Sequence, residues 1–162
     1  MNKLFRNIIS IVVFASIFSC TGIYEDGAEL ANDLSKDVEQ ISVADLQKKL
    51  DAGEDFVLID VRQPGEYWTA NIPGSVLMPR GILEFQIMDE DYWMEQYMYP
   101  PDKNETEIVI YCKSGKRGIL AVRTLKQLGF KNVKNLEGGY DAFDPNQDPN
   151  AKPKASSGGC GG

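Results

Sequence analysis

The sequence contains no histidine, and that absence limits the chemistry of the protein more than any other feature of its composition. Histidine is the general base of Ser-His-Asp triads and Cys-His dyads, and it is a common ligand of zinc. These triads, dyads and His-based zinc sites are therefore excluded. We expect neither a metal ion nor a cofactor.

Cysteine is scarce, and positive charge falls short of negative charge. The three cysteines, Cys20, Cys112 and Cys160, are too few and too widely spaced for the disulfide framework of a small secreted protein. With 17 Lys and Arg against 24 Asp and Glu, the net charge is -7. A surface of this sign does not favour a phosphate backbone, so we expect no nucleic-acid partner.

The N-terminal apolar run, from Ile8 to Phe18, is shorter than the roughly 20 residues that span a bilayer comfortably. It follows two basic residues, an arrangement typical of an export signal over 1–19. Its end at Cys20 resembles the bacterial lipobox, which implies that Cys20 becomes an acylated first residue. An ordinary cleaved signal or an uncleaved anchor remains the alternative. We predict a lipid-anchored protein of the cell envelope, on the periplasmic side of a membrane or at the cell surface.

The rest of the chain divides into three segments. Residues 20–40 are acidic, which predicts a tether or a loosely packed first helix. A globular domain is expected over 41–143. Within it, residues 81–105 predict a helical excursion over one end of the sheet, with aromatic side chains that mainly join the core. Proline and glycine predict a disordered tail over 144–162.

Apolar patterns in the domain predict alternating strands and helices. Unbroken apolar runs are typical of parallel strands buried on both faces. Strands are predicted at 56–59, 108–111 and 133–136, and helices at 42–53, 119–128 and 140–143. This alternation predicts an α/β fold, a central parallel sheet with helices on both faces.

The loop after the strand at 108–111 carries the candidate chemistry. It joins the carboxyl end of a buried strand to a helix, where open α/β sheets place their ligand sites. Backbone amides, the following helix and three cations favour the thiolate of Cys112. The same groups could hold an anionic donor such as thiosulfate, whose outer sulfur Cys112 would attack to form a persulfide. The candidate binding residues of this loop are Lys113, Ser114, Gly115, Lys116 and Arg117.

Two other interpretations of this loop remain open. Cys112 can be a buried, inert cysteine at the end of a strand. A cysteine phosphatase or an arsenate reductase is the other alternative, because cysteine phosphatases also place a thiol in a loop between a strand and a helix. Their motif needs arginine six places after the cysteine, whereas Arg117 stands five places after Cys112 and Gly118 stands sixth. The shorter loop suits a single sulfur atom better than a phosphate.

Four sequence motifs, in order, resemble those of rhodanese-like domains. They are Leu58-Ile59-Asp60-Val61-Arg62; Glu66-Tyr67 with Ile72-Pro73-Gly74-Ser75; the Cys112 loop; and Leu136-Glu137-Gly138-Gly139-Tyr140. The resemblance covers about 41–143, and it departs from many relatives at Ala70-Asn71, where they carry Gly-His.

The resemblance implies a rhodanese-like α/β domain and a rhodanese-type sulfurtransferase in which Cys112 forms the persulfide. It further implies that Asp60 and Arg62 support the active-site face, with a purely structural ion pair as the alternative, and that Arg80 lies near the pocket. The expected partners are a small sulfur anion as donor and a thiol or cyanide as acceptor. A persulfide carrier without turnover is the alternative function.

Cys160 lies between two pairs of glycines near the C-terminus. A thiol on such a segment can reach a wide volume, so it could relay sulfur from Cys112 or form a reversible disulfide with it. A tail cysteine without a role is the alternative.

Overall fold

Five short parallel strands form the centre of the fold. They are β1 (Gln40–Ile41), β2 (Val57–Asp60), β3 (Val76–Leu77), β4 (Ile108–Tyr111) and β5 (Val133–Leu136). Their order is β1-β5-β4-β2-β3, and every neighbouring pair is parallel. The computed structural model describes residues 22–96, 98–148 and 151. The predicted central parallel sheet is confirmed.

Helices cover both faces of this sheet. They are α1 (Gly27–Leu34), α2 (Val43–Ala52), α3 (Pro64–Thr69), α4 (Leu83–Gln86), α5 (Glu90–Glu95), α6 (Lys116–Gln127) and α7 (Gly139–Phe143). On one face, Ile108 and Ile110 share a core with Leu125 of α6. On the other face, Tyr111 shares a core with Leu46 of α2. Helices on both faces are therefore confirmed.

The strands β2 and β4 are buried along their whole length, as their unbroken apolar runs predict. β4 has the predicted bounds, whereas β2 begins and ends one residue later than predicted. Its last residue is Asp60, which pairs with Tyr111 in the sheet and is fully buried. A carboxylate at this position is stable because Arg62 neutralises it, which an apolar pattern does not reveal.

Residues 27–34 form a helix that packs against α6, so of the two predicted alternatives the first helix, and not the tether, describes this part of the acidic segment. Asp26 begins the helix, because its side chain accepts hydrogen bonds from the amides of Ala28 and Glu29 at 2.8 Å. Ala31 is fully buried. The predicted signal, 1–19, and Cys20 lie outside the described residues. Within the described residues, no helix is long and apolar enough to cross a membrane.

The segment 81–105 contains two short helices, α4 and α5, as the predicted excursion requires. Its aromatic side chains are divided between core and surface. Trp93 is fully buried and donates its indole N–H to the carbonyl of Ile87 at 2.9 Å. Phe85 is 81% exposed and Tyr99 is 87% exposed. The prediction that the aromatics mainly join the core therefore holds for only part of the segment.

The folded domain extends past residue 143, contrary to the predicted disorder from 144 onward. The amide of Asp144 donates to the carbonyl of Tyr140 at 2.9 Å. The side-chain amide of Gln147 donates to Asp141 at 2.7 Å. These bonds fix residues 144 and 147, which composition alone assigns to a tail, against the domain. Of the later residues, only Asp148 and Ala151 are described, so Cys160 lies outside the described residues.

Replacing Gly118 with alanine tests the close packing of α6 on β5. A Cβ at this position would lie 2.0 Å from Oδ1 of Asn135, a fully buried side chain whose Nδ2 donates to Gln40. We expect Gly118→Ala to lower the free energy of unfolding by about 1–3 kcal/mol, measured by urea or thermal denaturation. Alanine has a higher helix propensity than glycine, which by itself would raise the free energy of unfolding. A measured decrease would therefore come from the clash with Asn135.

The matched control is Gly27→Ala, a helical glycine whose Cβ would meet nothing within 4 Å. The double variant Gly118→Ala/Asn135→Ala should lose less stability than the two single losses summed, because removing the amide makes room. A Gly118→Ala protein as stable as the Gly27→Ala protein would contradict this packing.

Candidate active site

Cys112 is the first residue after β4, at the carboxyl end of the central strands. It continues the alternation of Ile108 and Ile110 and belongs to the core cluster on the α6 side of the sheet. The residue is only 1% exposed. Of the predicted binding residues in the loop, Lys113, Ser114 and Lys116 are exposed, Gly115 is buried and Arg117 is half-buried.

The start of α7 packs directly on this loop. The amide of Tyr140 donates to the carbonyl of Cys112 at 2.8 Å, and the amide of Asp141 donates to the carbonyl of Lys113 at 2.9 Å. Gly139 has φ +63, and a Cβ there would lie 2.3 Å from the Cys112 carbonyl oxygen. Glycine is therefore required at 139 both by its conformation and by the close approach of the two backbones.

These two bonds orient the peptide groups of the loop. A trans peptide carries its C=O and its N–H on opposite sides, so the amides of Lys113 and Ser114 point away from α7. The first turn of α6 adds amides without a partner inside the helix, since Ile119 makes the first helical bond, to Gly115 at 3.0 Å. Backbone amides in this arrangement attract anions.

Arg117 links the loop to α3 through an ion pair. Its two terminal nitrogens donate to the two carboxylate oxygens of Glu66 at 2.9 and 2.8 Å. The Glu66 carboxylate raises the pKa of Arg117, and interaction with the Cys112 thiol raises it further. Arg117 in turn lowers the pKa of Glu66. The guanidinium therefore stays charged next to Cys112.

Asp60 and Arg62 form a buried ion pair on the same edge of the sheet. The guanidinium donates to the carboxylate at 2.7–3.0 Å and to the carbonyl of Ala70 at 2.7 Å. It also lies 4.4 Å from the ring centre of Tyr140 and 5.4 Å from that of Tyr111. Burial opposes its charge, but the hydrogen bonds that Arg62 donates to Asp60, together with the negative charge of Asp60, outweigh that effect, and the pKa of Arg62 is raised.

The turn before β3 is tied to the end of β4. The amide of Ile72 donates to the hydroxyl of Tyr111 at 3.2 Å, and that hydroxyl lies 2.9 Å from the hydroxyl of Ser75. At the position where the sequence departs from many relatives, the side-chain amide of Asn71 donates to the carbonyl of Tyr67 at 3.1 Å. Asparagine thus closes the end of α3.

An open groove of about 620 Å³ lies beside the loop. It is lined by five residues from Arg62 to Ala70, by Lys113 of the loop, and by four residues from α7 and the segment after it. Those last four are Asp141, Gln147, Asp148 and Ala151. A volume of this size accommodates a small-molecule ligand.

Arg80 makes its contacts away from the Cys112 loop. Its guanidinium pairs with Glu84 and donates to the hydroxyl of Thr124 at 3.0 Å. Thr124 lies about two turns along α6 from the loop. Substrate binding by Arg80 therefore remains a prediction without a contact to support it.

The fold brings to this site three residues for which the sequence predicted no role. They are Glu66, Tyr140 and Asp141. Glu66 and Tyr140 belong to the motifs that resemble those of rhodanese-like domains. Local sequence motifs cannot predict that Glu66 pairs with an arginine 51 positions away. Among the residues that the structure describes, no group of three or more Cys, Asp or Glu could hold a metal ion.

The profile of the rhodanese-like domain family matches residues 42–145. A sulfurtransferase of Allochromatium vinosum is 31% identical over 106 residues, which cover 65% of this chain and 88% of that protein. The thiosulfate:glutathione sulfurtransferase of Saccharomyces cerevisiae is 28% identical over 110 residues, which cover 67% of this chain and 79% of that protein. A Bacillus subtilis protein described as a candidate sulfur carrier is 33% identical over 68% of this chain, which spans only 53% of that protein.

Two solved structures share the fold. A Rhodopseudomonas palustris protein of unknown function, titled a possible tyrosine phosphatase, has a TM-score of 0.63 at 30% identity and covers 77% of this chain and 93% of its own. The human single-domain sulfurtransferase has a TM-score of 0.60 at 24% identity, and the match covers 68% of this chain and 99% of that protein. A similarity at that level of identity shows the shared fold alone. The chain belongs to the rhodanese-like domain family, as a sulfurtransferase of the rhodanese type.

Proposed function

We propose that the protein transfers sulfane sulfur from a thiosulfate- or polysulfide-type donor to a thiol acceptor through a persulfide on Cys112. The observation that carries this proposal is the position of Cys112, in a loop whose amides face away from α7 and whose Arg117 stands beside the thiol. An inert buried cysteine would have no need of a charged neighbour. The yeast relative, named for thiosulfate and glutathione, supports a donor and an acceptor of these kinds.

The first half-reaction needs no redox partner and no general base. The Cys112 thiolate attacks the outer sulfur of thiosulfate and forms a sulfur–sulfur bond. The bond between that sulfur and the sulfonate breaks, and sulfite leaves with the electron pair. Lys113, Lys116 and the first turn of α6 would hold the anion, and the guanidinium of Arg117 would add positive charge beside it.

The phosphatase alternative is disfavoured by the sixth position after Cys112. A phosphatase loop carries there the arginine that contacts phosphate, and this chain carries Gly118. A Cβ on Gly118 would lie 2.0 Å from Asn135, so the position has no room for a side chain. Cys112 is also 1% exposed, which suits a terminal sulfur better than a phosphorus surrounded by oxygen atoms.

The location in the cell envelope is also a proposal, and it rests on the sequence before the described residues. An acyl group on Cys20 would leave only residues 21–26 between the lipid and α1. An extended segment of that length reaches roughly 20 Å, so the domain would stay close to the membrane. A relay of sulfur by Cys160 is a further part of the proposal that rests on sequence alone.

Replacement of Cys112 with alanine tests the function. After incubation of the full-length protein with thiosulfate, we expect peptide mass analysis to locate an added sulfur on Cys112. With cyanide present, thiocyanate should form, and Cys112→Ala should reduce its rate by about three orders of magnitude.

Cys20→Ser serves as the control, because it removes a thiol outside the described residues. Cys160→Ser tests the relay, and unchanged turnover in that variant would rule the relay out. A Cys112 persulfide without turnover would identify a carrier in place of an enzyme. Turnover that survives Cys112→Ala, or the absence of any adduct with thiosulfate and polysulfide, would refute sulfur transfer at this site.

Glu66→Gln tests the ion pair beside the thiol. Because folding lowers the pKa of Glu66, its ionised form stabilises the native state above its unfolded pKa, and this contribution disappears as the pH falls through the folded value. The wild-type protein should therefore melt roughly 3 °C above Glu66→Gln near neutral pH, with the gap closing below about pH 4. We also expect a roughly tenfold loss of kcat/KM for thiosulfate near neutral pH.

The matched control is Glu137→Gln, because Glu137 is exposed and makes no ion pair with any residue that the structure describes. Equal stability of Glu66→Gln and wild type across the whole pH range would show that the pair contributes nothing to the fold.

A further inference from the structure

The groove beside the Cys112 loop is lined by charges of both signs. Arg62 and Lys113 supply positive charge, and Glu66, Asp141 and Asp148 supply negative charge. A site for a sulfur dianion alone would not place three carboxylates along its wall, because like charges repel. The groove therefore suits a ligand that carries a cationic group.

Two of these charges are already neutralised by neighbours. Arg62 is paired with the buried Asp60, and Glu66 is paired with Arg117. Lys113 makes no ion pair with any residue in the described part of the chain. Asp141 has one carboxylate oxygen bonded to the neutral amide of Gln147. Lys113 and Asp141 thus keep their charges available to a ligand.

Lys113 and Asp141 are also held next to the reactive residue. Lys113 directly follows Cys112, and the amide of Asp141 donates to the Lys113 carbonyl at 2.9 Å. The bond fixes the backbone of Asp141 against the backbone of the loop. Both residues line the groove, which therefore borders the loop that carries Cys112.

We propose that this groove is the acceptor subsite and that it takes a small aminothiol, with the ammonium group on Asp141 and, where the acceptor has one, a carboxylate on Lys113. This inference rests on the proposed function, since it names the class of acceptor for the Cys112 persulfide.

The transfer step conserves atoms and electrons. The thiolate of the acceptor attacks the outer sulfur of the Cys112 persulfide and forms a new sulfur–sulfur bond. The bond between that sulfur and Sγ of Cys112 breaks, and its electron pair stays on Sγ as the thiolate. The acceptor leaves as a persulfide, and the enzyme returns to its starting state.

Four acceptors separate the charge requirement from thiol reactivity. They are cysteamine, which has an ammonium group; cysteine, which has both charges; 3-mercaptopropionate, which has only a carboxylate; and 2-mercaptoethanol, which has neither. Full-length protein, loaded to the persulfide with thiosulfate, is mixed with each, and the rate of sulfur release is measured. The ratio of variant to wild-type rate cancels the intrinsic reactivity of each thiol.

Asp141→Asn should lower the second-order rate constant about tenfold for cysteamine and cysteine, and less than twofold for the other two thiols and for cyanide. Asp141→Glu, which keeps the charge, should recover much of the loss. Lys113→Met should selectively slow 3-mercaptopropionate and cysteine. Asp91→Asn, an exposed carboxylate of α5 outside the groove, is the matched control.

An equal loss with all acceptors and cyanide, or no loss at all, would overturn the aminothiol subsite. Either result leaves sulfur transfer intact as long as wild-type protein forms the Cys112 persulfide and turns over with cyanide. Failure of the persulfide to form contradicts the proposed function itself, so the two failures are distinguishable.

Discussion

The packing of α7 on the Cys112 loop is the contact on which the rest of the site depends. Two backbone hydrogen bonds, from Tyr140 to Cys112 and from Asp141 to Lys113, fix the carbonyls of the loop. The amides of Lys113 and Ser114 consequently face the other way, where they can meet an anion. Because Gly139 has no Cβ, the two backbones can approach closely enough for these bonds to form. The same contact brings the backbone of Asp141 against that of Lys113, and both of these oppositely charged residues line the groove.

A second group of contacts stabilises the neighbouring wall at the carboxyl edge of the sheet. The buried pair of Asp60 and Arg62 would be costly if either partner were left without hydrogen bonds. Arg62 meets this requirement through the carboxylate and the carbonyl of Ala70, with the rings of Tyr111 and Tyr140 on its face. These contacts connect β2, the end of α3 and α7. The pair therefore connects the elements around the loop.

The sequence predicts the four-residue strands and the helices that have an apolar pattern, and it misses the two-residue strands. The sequence predicts the observed bounds of β4, because its four successive residues are apolar and buried, and those of β5, because two glycines follow Leu136 closely. β1 and β3 have two residues each, too few for any periodicity. The position of α1 depends on Ala31, a small side chain that marks no apolar face. In the site, Cys112 and its loop were predictable from local spacing, whereas the pairing of Arg117 with Glu66 and the contacts of Asp141 depend on residues distant in the chain.

We propose that the loop held by α7 presents its amides to the outer sulfur of a Cys112 persulfide. A crystal structure of the protein after soaking with thiosulfate tests this claim most directly. We expect density for one added atom on Sγ of Cys112, within hydrogen-bond distance of at least two loop amides, and unchanged bonds from α7 to the loop. An unmodified Cys112 in a soaked, active crystal, or an added sulfur that points away from the loop amides, would contradict the account.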